Sequence, residues 1–241
     1  MIKLAIIIPT YNEEQNIESL VKEIKKIKTS NKIIIIDDSK NFLTKNIVKR
    51  KKLPVIYIKR NKKKGRGSAV LLGIKTLLKL YKIDTFLEMD ADFSHNPREI
   101  DKKYKLFHKN KYDLLISSRY LPNSKIIGWP LRRKILSRMS NFLAKKIINA
   151  PVTDYTNGFR FYSRKNAAFI SKNCGKIGDG FIILSEILML SFMRGFKIYE
   201  TPTVFVNRER GESSVNVSLI IKSLLGLFKI FLLKLSINLK R

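Results

Sequence analysis

The chain contains one cysteine, Cys174, so no internal disulfide can form and no paired-cysteine zinc site can be built. That suits a reducing compartment. His95 and His108 are the only histidines, and they leave no Ser/His/Asp set for nucleophilic catalysis. Carboxylates are outnumbered, with 19 Asp and Glu against 49 Lys and Arg, for a net charge of +30. Internal repeats and low-complexity linkers are also missing. So is a signal-peptide pattern, because a strand pattern starts at once with Lys3-Leu4-Ala5-Ile6-Ile7-Ile8. These absences exclude a disulfide-stapled secreted domain, a zinc module and a histidine-based hydrolase. The 241 residues suffice for one domain, or one domain with an appendage. The positive charge points to acidic partners: nucleic acid, an anionic membrane surface or phosphorylated substrates. Compositional drift toward lysine accounts for part of it.

The chain is rich in short apolar runs alternating with helical patterns. Leu4–Ile8, Ile33–Ile36, Val55–Ile58, Ile83–Leu87 and Leu114–Ser118 read as buried strands. A helix follows the first, with Ile17, Leu20, Val21, Ile24 and Ile27 at helical spacing. Another opens at Gly65-Arg66-Gly67-Ser68, and a turn joins the second strand to the third. A long helix opens at Gly128-Trp129-Pro130-Leu131-Arg132-Arg133 and runs through Asn149, a further one spans Phe181–Phe192, and Ile198–Val206 reads as a last strand. The alternation predicts a mostly parallel, doubly wound sheet with its site at the carboxyl ends of the strands. Glu13, Asp38, Gly65–Ser68 and Asp90–Asp92 all fall just after strands and are expected on that edge. A Gly-rich basic loop opening a helix suits phosphate, though a plain flexible turn has the same composition.

Glu88-Met89-Asp90-Ala91-Asp92-Phe93-Ser94-His95-Asn96-Pro97 is the most informative stretch. Asp90 and Asp92, two apart at a strand end, are expected to project the same way. Paired carboxylates repel unless a cation lies between them, and oxygen ligands suit Mg²⁺ or Mn²⁺ bridging to a diphosphate. A solvated turn carries the same Asp-x-Asp. His95 lies beside the pair, either as a substrate contact or as a loop histidine without a role. Glu186 sits among apolar neighbours, where an acid is costly unless paired or active.

The stretch from Val217 to Ile237 is apolar but carries Lys222, Lys229 and Lys234. On a helical wheel its serines and lysines fall within an arc of about 160°. This favours a helix in a membrane interface with its lysines toward anionic headgroups. A helix packed on the domain, a dimer contact and a span are the alternatives.

Taken together these motifs resemble the family 2 glycosyltransferases with the GT-A fold, and within them the polyprenol-phosphate (dolichyl-phosphate) mannose synthases. The matching pieces are Pro9-Thr10-Tyr11-Asn12-Glu13, Ile35-Ile36-Asp37-Asp38, Gly65-Arg66-Gly67-Ser68-Ala69, Met89 to Pro97, Ser118-Arg119-Tyr120, Gly128-Trp129-Pro130-Leu131-Arg132-Arg133, Ser137-Arg138, Thr153 to Arg160, Phe205-Val206-Asn207-Arg208 and Gly211-Glu212-Ser213. The resemblance implies a Rossmann-like α/β domain over residues 1–214, with a nucleotide-sugar half to residue 120 and an acceptor half after it. An amphipathic membrane-interface helix would cover 215–241. It implies transfer of mannose from GDP-mannose to a polyprenyl phosphate, metal-dependent and inverting, with polyprenyl-phosphate glucose synthesis from UDP-glucose as a variant. A non-catalytic GT-A subunit and a basic nucleic-acid-binding protein are the other classes. The latter has no recognisable module, and its acids cluster where nucleic-acid phosphates would be repelled.

By that resemblance Pro9, Tyr11, Glu13, Ile36 and Asp38 hold the donor's base and ribose. Asp90, Ala91, Asp92 and Arg208 meet its diphosphate, and Asp90, Asp92 and Ser94 the Mg²⁺ or Mn²⁺. Arg119, Arg133, Ser137 and Arg208 hold the acceptor phosphate, with Asp92 and Arg119 as the catalytic pair. The implied location is peripheral, on the cytoplasmic face of the plasma membrane or endoplasmic reticulum, with room for a separate membrane subunit or anchoring partner. Two departures stand out. Asp37-Asp38 continues into Ser39-Lys40-Asn41 without the family's second acid, and Ser213-Ser214 lacks its lysine, a charge Arg210 is placed to supply.

Overall fold

A computed structural model describes residues 3–61, 65–178, 180–208 and 217–239. In chain order the elements are β1 (Leu4–Thr10), α1 (Glu14–Lys25), β2 (Asn31–Asp37), α2 (Leu43–Arg50), β3 (Val55–Lys59), α3 (Arg66–Leu80) and β4 (Thr85–Glu88). A 3₁₀ turn at Pro97–Glu99 leads into α4 (Ile100–Lys109). Then come β5 (Leu114–Ser118), β6 (Lys125–Ile127), α5 (Leu131–Ile148), β7 (Arg160–Ser163), α6 (Arg164–Asn173), α7 (Ile182–Met193), β8 (Ile198–Pro202), β9 (Val204–Val206) and α8 (Val217–Asn238).

The continuous apolar runs become the middle of a seven-stranded sheet of order β3-β2-β1-β4-β7-β5-β8. Strands covered on both faces must be apolar throughout, and Leu4 to Ile8 are fully buried. Alternate residues divide between two cores. Ala5, Ile7, Ile34 and Ile36 pack under α3, α5, α6, α7 and α8. Leu4, Ile6, Ile33 and Ile35 pack against α1 and α4.

Every strand pairing in this sheet is parallel except those of β7, which is inserted antiparallel between β4 and β5. Its first residue, Arg160, therefore lies opposite Glu88 and Ile116, near the carboxyl ends of its neighbours. That reversal delivers the preceding loop, residues 153–159, to the edge where the acidic pair lies. Arg160 fixes the loop from below. It is fully buried and donates to the carbonyls of Tyr155, Asn157 and Leu184.

Several elements differ from the sequence expectation. The link between β2 and β3 is the helix α2, whose buried face is only Thr44 and Val48, too little apolar pattern to stand out. Helix α6 buries Asn166, Ala167, Ile170 and Ser171, again a weak apolar signal. The run Ile198–Val206 is two strands. After Pro202 the chain leaves the main sheet, Thr203 bonds to Glu99, and β9 pairs with β6.

Helix α8 packs on α5 and α7 through Gly226, Leu227 and Ile230. A Cβ on Gly226 would stand 2.5 Å from Ile182 Cγ1, so the close approach of α8 to α7 requires glycine there. Of the lysines expected on one outward face, Lys229 is exposed, the side chain of Lys222 lies outside the described residues, and Lys234 departs. Lys234 turns inward and donates to the carbonyls of Ile147 (2.8 Å) and Ile148 (3.2 Å), neutralising the carbonyl end of α5. Leu225, Phe228, Phe231, Leu232 and Leu235 are exposed beside Lys229, which leaves a large apolar outer surface on this helix. No helix among the described residues is long and apolar enough to cross a membrane.

Candidate active site

The acidic pair lies just past β4, in a turn rather than on the strand. Phe93 takes a positive φ of 58°, which folds the turn back so that Ser94 N–H donates to Asp92 Oδ1 at 3.1 Å. Asp90 is held from two sides. Arg66 Nε donates to Asp90 Oδ1 at 2.7 Å, while its other nitrogens reach Glu88 Oε2 (3.1 Å) and the Gly158 carbonyl (3.1 Å). A Cβ at residue 158 would lie 1.9 Å from Arg66 Nη2, so any side chain there would push the guanidinium from its present place. The Gly65–Ser68 loop thus turns its arginine onto carboxylates, with no side chain left over for phosphate from Arg66. Burial pushes the Asp90 carboxyl up, but Arg66, and after it His95 and Arg208, hold it below the ordinary range.

His95 makes the second hold. Its Nδ1 accepts from Asp90 N–H at 3.1 Å, which leaves the hydrogen on Nε2 to donate to Asn157 Oδ1 at 3.0 Å. The ring stacks on Phe159 at 5.0 Å, and burial depresses its pKa despite Asp90 and Asp92, so it is a neutral spacer. Asn157 N–H donates in turn to Asp154, and Asp154 grips Arg119 through two 2.8 Å bonds and the Arg119 backbone N–H. Glu200 holds the Thr153 and Asp154 backbone amides. One hydrogen-bonded chain, Asp90–His95–Asn157–Asp154–Arg119, therefore joins the acidic end of the site to the basic end.

Three arginines gather there. Arg119 is buried and opposes burial with its Asp154 partner, which raises its pKa. Arg133 donates to Asn207 Oδ1 at 2.9 Å and lies over the Trp129 ring at 4.2 Å. Its pKa is lowered by burial, then by the like charges of Arg208 and Arg119. Arg208 reaches Asp92 Oδ2 at 3.2 Å and Glu13 Oε1 at 4.0 Å. The parallel pairing of β6 with β9 aligns Ile127 with Val206, which puts Trp129 and Arg133 beside Asn207 and Arg208. Three guanidinium groups on one cavity are an arrangement that suits an anion.

These groups line one cavity of about 600 Å³. Asp90, Asp92 and Ser94 form one wall and Arg119, Arg133 and Arg208 the next. Beyond them Leu136, Ala144, Ile182 and Leu227, from α5, α7 and α8, make an apolar wall. Ser137 lies on the rim, its hydroxyl 2.6 Å from Tyr120 Oη. Two buried polar atoms on the lining have no partner among the described residues, Ser94 Oγ and Trp129 Nε1.

The expected donor residues lie to the side of this cavity. Glu13 is raised to about 7 by burial, opposed by its bond from Asn16 and reinforced by Asp92. Asp38 is already paired with Arg60, which also reaches the Gly65 carbonyl and Ser68 Oγ. Ile36 is fully buried in the core and accepts from Thr10 Oγ1 at its carbonyl, so no Ile36 side chain faces the site. Ala91 is buried, and Pro9 and Tyr11 are half-buried at the end of β1. Arg210 and Gly211 to Ser214 lie outside the described residues. Glu186 is answered structurally: it accepts from the amides of Gly175 and Lys176. Sequence pattern placed Arg66 in a phosphate-suited loop, whereas it pairs with Asp90 and Glu88, and it assigned no individual role to Arg60, Asp154, Asn157 or Trp129.

The model of the family described as glycosyl transferase family 2 matches residues 5–169. A dolichol-phosphate mannosyltransferase of Pyrococcus furiosus is 32% identical over 234 residues, which cover 95% of this chain and 63% of that protein. A polyprenol monophosphomannose synthase of Mycolicibacterium smegmatis is 30% identical over 218 residues, covering 88% of this chain and 81% of that protein. The chain thus spans a little under two thirds of the first relative's length. Among solved structures, a glucosyl-3-phosphoglycerate synthase from Mycobacterium tuberculosis in complex with Mn²⁺, UDP-glucose and phosphoglyceric acid superposes with a TM-score of 0.69 at 15% identity, covering 95% of this chain and 79% of that one. That likeness shows the fold, a GT-A-like α/β domain with a mostly parallel sheet.

Proposed function

The chain belongs to glycosyl transferase family 2, and on that footing we propose that it transfers mannose from GDP-mannose to the phosphate of a polyprenyl or dolichyl phosphate, with inversion at the sugar carbon. The names of the two relatives support the reaction class. One observation carries the reading to this chain: a single cavity runs from carboxylates, past three arginines, to an apolar wall. Those surfaces suit, in turn, a cation with a diphosphate, an acceptor phosphate, and the first units of a prenyl chain.

A phosphate monoester is ionised near neutral pH and needs no strong base. Its oxygen bonds to the anomeric carbon as the bond from that carbon to the diphosphate breaks, and no proton need move. Arg119, Arg133 and Arg208 hold the acceptor in line and offset its charge. His95, neutral and committed at both nitrogens, orients Asp90 and serves no acid–base role.

Asp90, Asp92 and Ser94 are the residues that would hold Mg²⁺ or Mn²⁺. The partnerless buried Ser94 Oγ beside Asp92 fits a cation ligand. No cluster of three or more His, Cys, Asp or Glu forms among the described residues. A cation completed by substrate phosphates and water needs none. When bound it neutralises charge on the departing diphosphate.

The outer surfaces of α5 and α8 make the chain a peripheral protein of the cytoplasmic membrane face in this reading, with residues 215–241 as the interface element. Transfer of label from a panel of nucleotide sugars into an organic-extractable lipid tests the proposal. Mannose from GDP-mannose is the expected product. Glucose from UDP-glucose instead moves the assignment to the glucose variant, and no transfer from any donor leaves a non-catalytic subunit.

A further inference from the structure

Between Asp113 and Asp154 the chain contains no acidic residue, while eight lysines and arginines occur there. Helix α5 carries most of this segment, and it separates two cavities. Arg133, Leu136, Ser137, Ser140 and Ala144 face the large cavity already described. On its other flank a second cavity of about 240 Å³ is lined by Tyr120, Arg138, Asn141, Phe142, Lys145 and Thr153. Its polar floor is already satisfied. Asn141 bonds to Tyr155 and Ser137, Thr153 to Glu200, and Tyr120 Oη to Ser137.

Arg138 and Lys145 are different. They stand two turns apart on one side of α5, both exposed, and make no ion pair or hydrogen bond among the described residues. Between and beside them runs an exposed apolar stripe: Leu131 is 72% exposed, Phe142 59%, Met139 55% and Ile135 49%. An apolar stripe with unpaired cations along its edge matches the boundary between acyl chains and headgroups, where the stripe enters and the cations stay at phosphate depth.

We infer that the Arg138–Lys145 cavity binds the headgroup phosphate of an anionic membrane phospholipid, a site separate from the one for the reacting lipid phosphate. It rests on the membrane-facing reading of α5. Two cations at the mouth of a small cavity select a phosphate, and the apolar stripe beside it selects a phosphate attached to acyl chains. Seated there, the lipid would fix the rotation of α5 on the membrane and so hold the mouth of the large cavity against the bilayer.

The test is flotation of the full chain with phosphatidylcholine vesicles, with and without phosphatidylglycerol. It compares wild type, R138A/K145A, and a control of equal charge, K49A/K109A, on α2 and α4 across the sheet. The R138A/K145A variant should lose roughly tenfold more of the preference for anionic vesicles than the control, and keep its binding to neutral ones. Equal losses in the two variants overturn the site and leave only general charge attraction. Full displacement of the Arg138–Lys145-dependent part by glycerol phosphate at constant ionic strength overturns the lipid assignment in favour of a soluble phosphate ligand. The catalytic reading fails separately. A chain that transfers hexose to a short-chain acceptor yet shows no anionic preference loses only this site. One that shows the preference but transfers from no donor loses only the proposed reaction.

Discussion

Arg119 and Arg133 face the same cavity, yet they answer to different tests. Arg119 is the sole cationic partner of a buried Asp154 among the described residues, so Arg119→Ala should cost about 3–5 kcal/mol of stability, read by denaturant unfolding, before binding is considered. Arg133→Ala gives up one bond to Asn207 and its stack on Trp129. It should fold normally and weaken acceptor binding by about 1.5–3 kcal/mol, seen as a raised KM for the lipid. Asp92→Asn should keep the fold and lower the rate by at least about a hundredfold, with Mn²⁺ titration of the rate losing its saturating rise. Glu13 makes a pH prediction. Its carboxyl sits near 7 in the fold against 4.5 free, so the folded chain holds more protons than the unfolded one between those values. Its contribution to stability is therefore complete below about pH 4.5 and lost as pH rises through 7, and Glu13→Gln should flatten that slope in unfolding experiments. The placing of Asp90, Asp92, Arg119, Arg133 and Arg208 on one cavity was legible in the sequence because they stand in short patterns just after strands or at helix starts. The supporting roles of Arg66, Asn157 and Asp154 were not. Arg66 depends on Glu88 and Asp90, which the neighbouring strand β4 supplies, and Asn157 and Asp154 depend on His95 and Arg119, which they meet because the antiparallel strand returns their loop to this edge.

Among the elements, α8 departs from its wheel pattern at one residue, Lys234. Its lysines share an arc on a wheel, but a wheel has no information about what the neighbouring helix needs. The bare carbonyls at the end of α5 draw Lys234 inward, and large apolar residues are left outside. The strands were legible because burial on both faces requires unbroken apolar runs. Helices α2 and α6 were obscure because they bury few residues, and those are small or polar. Close packing of α8 on α7 depends on Gly226, and Ile182 and Leu227 line the apolar end of the cavity. Gly226→Val should lever α8 away at a cost of about 1–3 kcal/mol. It should slow transfer to long-chain acceptors while sparing a short-chain one, measured as the ratio of the two rates.

Over the whole molecule, charge and apolar surface are unevenly spread. Exposed Phe228 and Leu232 on α8 add to the apolar stripe of α5. Phe228→Ser with Leu232→Ser should reduce binding to neutral and anionic vesicles alike, by at least about tenfold in flotation, because what is removed is apolar contact rather than charge. Net charge was legible from composition, but which face lacks acids became visible only once α5 and α8 were seen side by side. The antiparallel strand β7 has a further consequence, for the order in which the chain comes together. It alone bonds β4 to β5, so the sheet is two separate ribbons until residues 160–163 arrive. The first ribbon, β3-β2-β1-β4, can pair while the rest of the chain is still being synthesised, with β4 as an open edge. The pairing that closes that edge joins Thr85–Glu88 to Arg160–Ser163, across roughly a third of the chain, and is a slow, high-contact-order event of folding. The same event seats residues 153–159 between the acidic pair and the arginines, so a chain that stops short of it is a sheet without a site.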